Sequence, residues 1–179
     1  MSRGNRIVFA ALMLVLIAAL AGAQAQQKDE NGFWVTSAIG MDLKWKVEGE
    51  WLYVSVSAPT TGWVSVGFNP AGKMKNANII IGYVQTGEVF IRDDFGSAPT
   101  QHQADAGIGG SLDIGKPSGS ESNGKTEISF RIKLDSGDTK DRPLEAGKTY
   151  RVILGYGKDG ADNFEAYHGD KRTTIKIKL

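Results

Sequence analysis

Hydrophobic and polar residues alternate with a period of two over most of the chain beyond residue 32. Leu43, Trp45 and Val47 alternate with Lys44 and Lys46. Leu52, Val54, Val56 and Ala58 alternate with Tyr53, Ser55 and Ser57, and Val64, Val66 and Phe68 with Ser65 and Gly67. The same rhythm returns at Ile128, Phe130, Ile132 and Leu134, at Val152, Leu154 and Tyr156, and at Ile175, Ile177 and Leu179. Each stretch predicts a strand with one buried and one wet face. Phe33 to Thr36 and the segment starting at Val89 and Ile91 are shorter candidates, and Ile79-Ile80-Ile81 is an unbroken β-branched run that suits a strand covered on both faces. Gly, Pro, Asn or Asp punctuates most gaps, and no amphipathic helix interrupts the series. Many short strands with turns between them predict an all-β sandwich or barrel. Residues 95–125 break the rhythm. They are rich in Gly, Ser, Asp and Pro and read as a long loop, carrying at most one short strand.

The first 25 residues belong to a different class. Arg3 and Arg6 precede an apolar run from Ile7 to Ala23, Ala23-Gln24-Ala25 places small residues where a signal peptidase cuts, and the chain then turns polar. This is the order of a secretory signal peptide; the alternative is an uncleaved membrane anchor close to the lower length limit for a span. The expected organisation is a signal peptide over 1–25, one domain over 26–179, and a product that is exported, periplasmic or secreted. Arg3 and Arg6 are the only ionisable residues in the leader. The 21 basic and 20 acidic side chains of the whole chain therefore leave residues 26–179 one negative charge in excess. That balance gives no electrostatic reason to bind nucleic acid or an anionic membrane.

The chain contains no cysteine, which excludes disulfides, covalent c-type haem, iron–sulfur clusters and thiolate copper sites. Only His102 and His168 offer imidazole. No Ser-His-Asp order, phosphate loop or His-x-x-x-His pair supports a hydrolase or metalloprotease. Asp93-Asp94 reads as a wet strand end, and Asp135 to Asp141 as a solvated turn without the spacing of a calcium loop. Met74 is unexpected in the polar loop Asn69 to Asn76, and His168 lies in the late segment Phe164 to Asp170. Each has two readings from its surroundings alone: Met74 as a soft plug over the sandwich end, His168 as a surface histidine, or the two together as a thioether–imidazole pair suited to haem iron.

Gly62-Trp63-Val64-Ser65-Val66-Gly67-Phe68-Asn69, then Met74, then Asn76-Ala77-Asn78-Ile79-Ile80-Ile81-Gly82-Tyr83, resembles the core signature of the DOMON family. Val89 to Asp94, Thr126 to Leu134, and Leu154-Gly155-Tyr156-Gly157 followed by Tyr167-His168 resemble its later segments, so the likeness covers about residues 32–179. Asn78 stands where the family often has aspartate. The resemblance implies an immunoglobulin-like β-sandwich of about 9–11 strands. It also implies a non-covalent haem b with Met74 and His168 as axial ligands, as in the cytochrome domain of cellobiose dehydrogenase. Phe68, Tyr83 and Tyr167, near the ligands in sequence, are the expected pocket wall, with Lys73 and Arg172 meeting the propionates. His102, in its polar surroundings, is expected to be dispensable. The implied role is electron transfer, without enzymatic activity of its own. The partner would be a separate redox protein, a membrane cytochrome or a secreted oxidoreductase. The alternative is a haem-free module that binds carbohydrate or another small ligand, with Trp34, Trp45, Trp51 and Trp63 as its stacking surface.

Overall fold

The computed structural model describes residues 26–179, so the expected signal peptide lies outside the described residues. Twelve strands follow one another among them: β1 (Gln27–Lys28), β2 (Trp34–Ala38), β3 (Met41–Glu48), β4 (Trp51–Ala58), β5 (Val64–Phe68), β6 (Asn78–Gln85), β7 (Glu88–Ala98), β8 (Gln101–Ala104), β9 (Gly115–Ser122), β10 (Lys125–Lys133), β11 (Thr149–Tyr156) and β12 (Arg172–Lys178). A single 3-10 turn, Asp105–Gly107, follows β8. The strands form two six-stranded sheets, β1-β2-β3-β4-β10-β9 and β12-β11-β5-β6-β7-β8. Every pairing is antiparallel. Of the all-β sandwich or barrel expected from the alternation, the sandwich implied by the family resemblance is the observed architecture.

The inner faces meet in one core. Leu43 and Trp45 of β3, Leu52, Val54 and Val56 of β4, and Ile128, Phe130 and Ile132 of β10 come from the first sheet. Val64, Val66, Phe68, Ile80, Val152, Leu154 and Ile177 come from the second. Trp45 is wholly buried, and its indole N–H donates to the carbonyl of Lys178 at 3.0 Å, tying the C-terminal strand across the sandwich. That pairing removes the penalty of burying an indole donor.

The structure corrects two expectations. Residues 95–125 are not a long loop: β7 continues to Ala98, β8 pairs with β7, and β9 pairs with β10. Their sequences lack alternating apolar residues because β8 and β9 are edge strands, held by ladder hydrogen bonds rather than by two packed faces. Pro117 and a register irregularity between Ser129 and Arg131 mark β9 as an edge. Phe68 is also misplaced by its proximity to the loop methionine. It shares the parity of Val64 and Val66, so its side chain enters the core, away from the outer face.

A core role for Phe68 makes a stability prediction. Phe68→Ala should lower the unfolding free energy by about 3–5 kcal/mol in urea. Leu112→Ala, at a residue 60% exposed, should stay within about 0.5 kcal/mol.

Candidate functional site

The outer face of the second sheet is also apolar, and that is where the site lies. In the central strands the residues of opposite parity to the core are Ser65 and Gly67 on β5, Ile79 and Ile81 on β6, and Ile153 and Gly155 on β11. Small Ser65 and Gly155 leave a hollow among the isoleucines. A cavity of ≈ 220 Å³ sits there, its lining including Trp63, Ile79, Ile81, Ile153, Met74, His102 and His168. A wider chamber of ≈ 610 Å³ shares Trp63, Met74, His102, His168 and Arg172, and adds Lys73 and Tyr167. The wider chamber alone falls within the range of about 300–1,000 Å³ typical of cofactor-sized pockets.

Three segments roof the hollow. The first, residues 69–77, carries Met74. It is a tight loop in which Ala71 N–H donates to the Lys75 carbonyl at 2.8 Å and Ala77 N–H to the Met74 carbonyl at 3.0 Å. Asn69, Lys73 and Asn76 adopt positive φ, a region sparsely used by non-glycine residues. Clamps from outside hold it: Arg142 donates to the Asn69 carbonyl at 2.6 Å, and Arg151 to the carbonyls of Pro70 and Ala71. Asn76 N–H donates to the Gly96 carbonyl at 2.7 Å and Met74 N–H to the Pro99 carbonyl at 3.2 Å. A Cβ on Gly96 would stand 1.7 Å from the Met74 carbonyl oxygen, so only glycine lets the loop lie this close to β7. Met74 is thus presented by a fixed loop.

The second segment, residues 157–171, carries His168. Asn163 Oδ1 accepts from the backbone of Glu165 and Ala166, and the Ala166 carbonyl accepts from the Trp63 indole at 3.0 Å. Trp63 is nearly buried and meets the His168 ring edge-on at 6.5 Å. This explains the glycine–tryptophan motif. A Cβ on Gly62 would come within 2.3 Å of the Lys158 carbonyl, and one on Gly157 within 2.7 Å of the Trp63 indole nitrogen. His168 Nδ1 lies 2.7 Å from the Gly169 carbonyl. A carbonyl only accepts, so Nδ1 carries the proton and the Nε2 of the neutral ring keeps its lone pair. Arg172 Nη1 stands 3.5 Å from that Nε2.

The third segment is β8 with His102. Its Nδ1 is 2.5 Å from Asp94 Oδ2, and Arg92 binds both oxygens of the same carboxylate at 2.6 and 2.8 Å. Burial alone would raise the pKa of Asp94, but the hydrogen bonds from His102 and Arg92 outweigh it and hold the carboxyl below its usual value. Arg92 also lies over the Phe164 ring and near Glu165, linking β7 to the His168 segment.

The expected site residues separate clearly on this geometry. Met74 and His168 line one cavity from different loops. Tyr167 is 73% exposed and walls the outer chamber, whereas Phe68 lines neither part of it. Tyr83 lies behind the wall, stacked on Phe90 at 5.1 Å and tilted against Phe164. Arg172 and Lys73 both border the chamber. His102, read in the sequence as lying in a polar loop without apolar neighbours, lines the same cavity instead. Strand pairing of β8 brings it there, and no sequence periodicity signalled that. Of the four tryptophans, Trp45 and Trp63 are buried. Trp34 and Trp51 are half-buried, beneath Lys28 and beneath Arg131 and Lys133 respectively, so the tryptophans form no open stacking platform.

Comparison with known proteins agrees with this architecture. The family model "DOMON domain" matches residues 39–157, a span that contains Met74 and ends before His168. DBH-like monooxygenase protein 1 of Mus musculus is 32% identical over 138 residues, covering 76% of this chain and 22% of that protein. The Homo sapiens protein of the same name is 29% identical over the same length and share. The chain therefore spans about a fifth of these curated relatives. Among solved structures, the cytochrome domain of Myriococcum thermophilum cellobiose dehydrogenase superposes with a TM-score of 0.61 at 12% identity, covering 87% of this chain and 88% of that one. The cytochrome b domain of pyranose dehydrogenase from Coprinopsis cinerea gives 0.59, also at 12% identity, covering 85% and 86%. At that identity the likeness is one of fold. The glycine–tryptophan strand, the clamped methionine loop and the match over two-thirds of its length together make this chain a member of the DOMON domain family.

Proposed function

We propose that this chain is an exported b-type cytochrome module that holds one haem non-covalently between Met74 and His168 and exchanges electrons with a separate redox protein. One observation carries the reading: a thioether and an imidazole from two different loops line one cavity over an apolar sheet face. The donor set fits haem, since neither ligand needs deprotonation and no cysteine competes. Bound there, the iron would supply a one-electron couple whose ferrous form the thioether favours.

The chain's own residues have definable parts in this. Ile79, Ile81, Ile153 and Trp63 exclude water from the floor. Gly169 fixes the His168 tautomer, and Trp63 fixes its loop. Arg172, and Lys73 at the chamber edge, suit carboxylate-bearing propionates. Met74 and His102 reach the cavity from one rim, because the methionine loop is bonded to Gly96 and Pro99, just before β8. Either could therefore supply the second ligand, with His168 as the first. Met74 is the proposed ligand because the thioether has no other role in its polar loop, whereas His102 already has one in the Asp94–Arg92 network, although its bond through Nδ1 leaves Nε2 free. Export is proposed from the leader sequence. Among the described residues, no helix is long and apolar enough to cross a membrane.

Protein produced with sufficient haem, or supplied with hemin, should show the sharp split bands of low-spin six-coordinate haem, and acid-acetone should extract it. His168→Ala should leave high-spin iron or no stable haem. Met74→His should stay low-spin with a potential lower by on the order of 0.1 V, since axial ligands tune potentials over about 0.8 V. His102→Ala should remain low-spin. A protein that takes up no hemin, or one driven high-spin by His102→Ala and not by Met74→Ala, would refute the assignment. The clamp on the methionine loop makes a further prediction in a hemin titration. Gly96→Ala, whose new Cβ meets backbone, should weaken haem retention by about tenfold or more, or roughly 1.4 kcal/mol. Gly72→Ala, in the same loop with nothing within 4 Å, should not.

A further inference from the structure

Asp93 and Asp94 occupy successive positions on β7, and their side chains leave opposite faces of the strand. Asp94 faces the cavity network with His102 and Arg92. Asp93 turns the other way, into a second polar centre. There a carboxylate oxygen from each of Asp93, Asp105 and Asp141 lies within 4.8 Å of the others. Asp93 and Asp105 are 2% and 1% exposed. Each has an Oδ1 with no hydrogen-bond partner. None of the ion pairs among the described residues reaches these three carboxylates. Lys140 offsets part of the charge at Asp105 from a distance, but no cationic side chain pairs directly with any of the three acids among the described residues.

An independent side chain points to what belongs there. Asn78, at the start of β6, is 5% exposed, and its amide head is turned into the cluster, with Nδ2 donating to Asp141 Oδ1. Its Oδ1 has no partner. Leaving a buried polar oxygen unpaired costs about 1–3 kcal/mol, and Asn78, Asp93 and Asp105 each leave one unpaired in or beside this cluster. Other contacts hold the ligand atoms in place: Ser136 donates to Asp141 Oδ2 at 2.6 Å, and Asp113 N–H to Asp93 Oδ2 at 3.1 Å.

We infer that Asn78, Asp93, Asp105 and Asp141 form a binding site for one divalent cation, of which calcium is the best match. Every donor is a hard oxygen, from three carboxylates and one carboxamide, and the set includes no imidazole or thiolate of the kind that selects zinc. The donors come from four separate segments: β6, β7, the 3-10 turn, and the connection between β10 and β11. A cation would pin the 3-10 turn and that connection to the central strands of the second sheet, and would balance charge that otherwise opposes folding. Without it, burial and the neighbouring carboxylates push the pKa of Asp93 up to about 8 and that of Asp105 up to about 7. The inference is independent of haem, since none of the four residues lines the cavity.

The test is calorimetric titration of chelator-stripped full-length protein with CaCl2, paired with thermal melts in CaCl2, MgCl2 and NaCl at matched ionic strength. One calcium per chain should bind and raise the melting temperature above the NaCl control, with magnesium weaker. Asp93→Asn should lower calcium affinity at least tenfold and remove the calcium-dependent shift. By removing the cost of burying a carboxyl group, it should also raise the melting temperature of the cation-free protein, which shows that the variant folds. Asp159→Asn, in an unrelated exposed loop, should behave as wild type. No heat and no melting shift up to about 10 mM CaCl2, well above the weakest extracellular calcium sites, would overturn the site. It would mean that shared protons, not a cation, hold the carboxyl groups together.

Discussion

The second sheet is apolar on both faces, and the rest of the molecule follows from that constraint. One face is satisfied by the opposing sheet in a common core. The other has no second sheet to cover it, and an exposed apolar face of this size would be a liability in a monomer. Three loops do the covering, and because Ser65 and Gly155 leave the middle of the face low, the cover does not close onto it. The hollow is thus a consequence of side-chain size on three neighbouring strands. Met74, His102 and His168 reach it from the covering segments, and Arg172 from the adjoining strand β12.

The covering segments are held by backbone and charge rather than by apolar packing. The methionine loop depends on two arginines from other segments and on the missing side chain of Gly96. The His168 segment depends on the Trp63 indole and an asparagine turn. Arg92 joins the two sides through Asp94 and Phe164. Side chains held this way stay near fixed positions, so the proposed haem, once bound, would meet little reorganisation when its charge changes. Strand β7 carries Asp94 on the cavity side and Asp93 on the other, so one dipeptide belongs to both polar centres of the domain.

Much of this was legible in the sequence, and the misses share a cause. Alternation located the sandwich strands because each central strand buries one face, and Ile79-Ile80-Ile81 was read as doubly covered because Ile80 enters the core while its neighbours floor the cavity. Parity alone would have placed Phe68 with Val64 and Val66, but proximity along the chain suggested the pocket. Edge strands β8 and β9 carry no such pattern, so residues 95–125 read as loop and His102 as remote. Asp93 reads in the sequence as a wet strand end and Asp141 as part of a solvated turn because their environment is built from segments far apart in sequence. Local patterns report faces of single strands; tertiary pairing decides which loops meet.

The choice between Met74 and His102 is the sharpest point of the account, and X-ray absorption at the iron edge of the haem-loaded protein addresses it directly. The chain has no cysteine, and Met41 is wholly buried in the core. A sulfur atom bound to iron can therefore come only from Met74 among the described residues. One sulfur scatterer beside the shell of nitrogens is the predicted result. A shell of nitrogen alone would contradict it and assign the iron to His102 and His168.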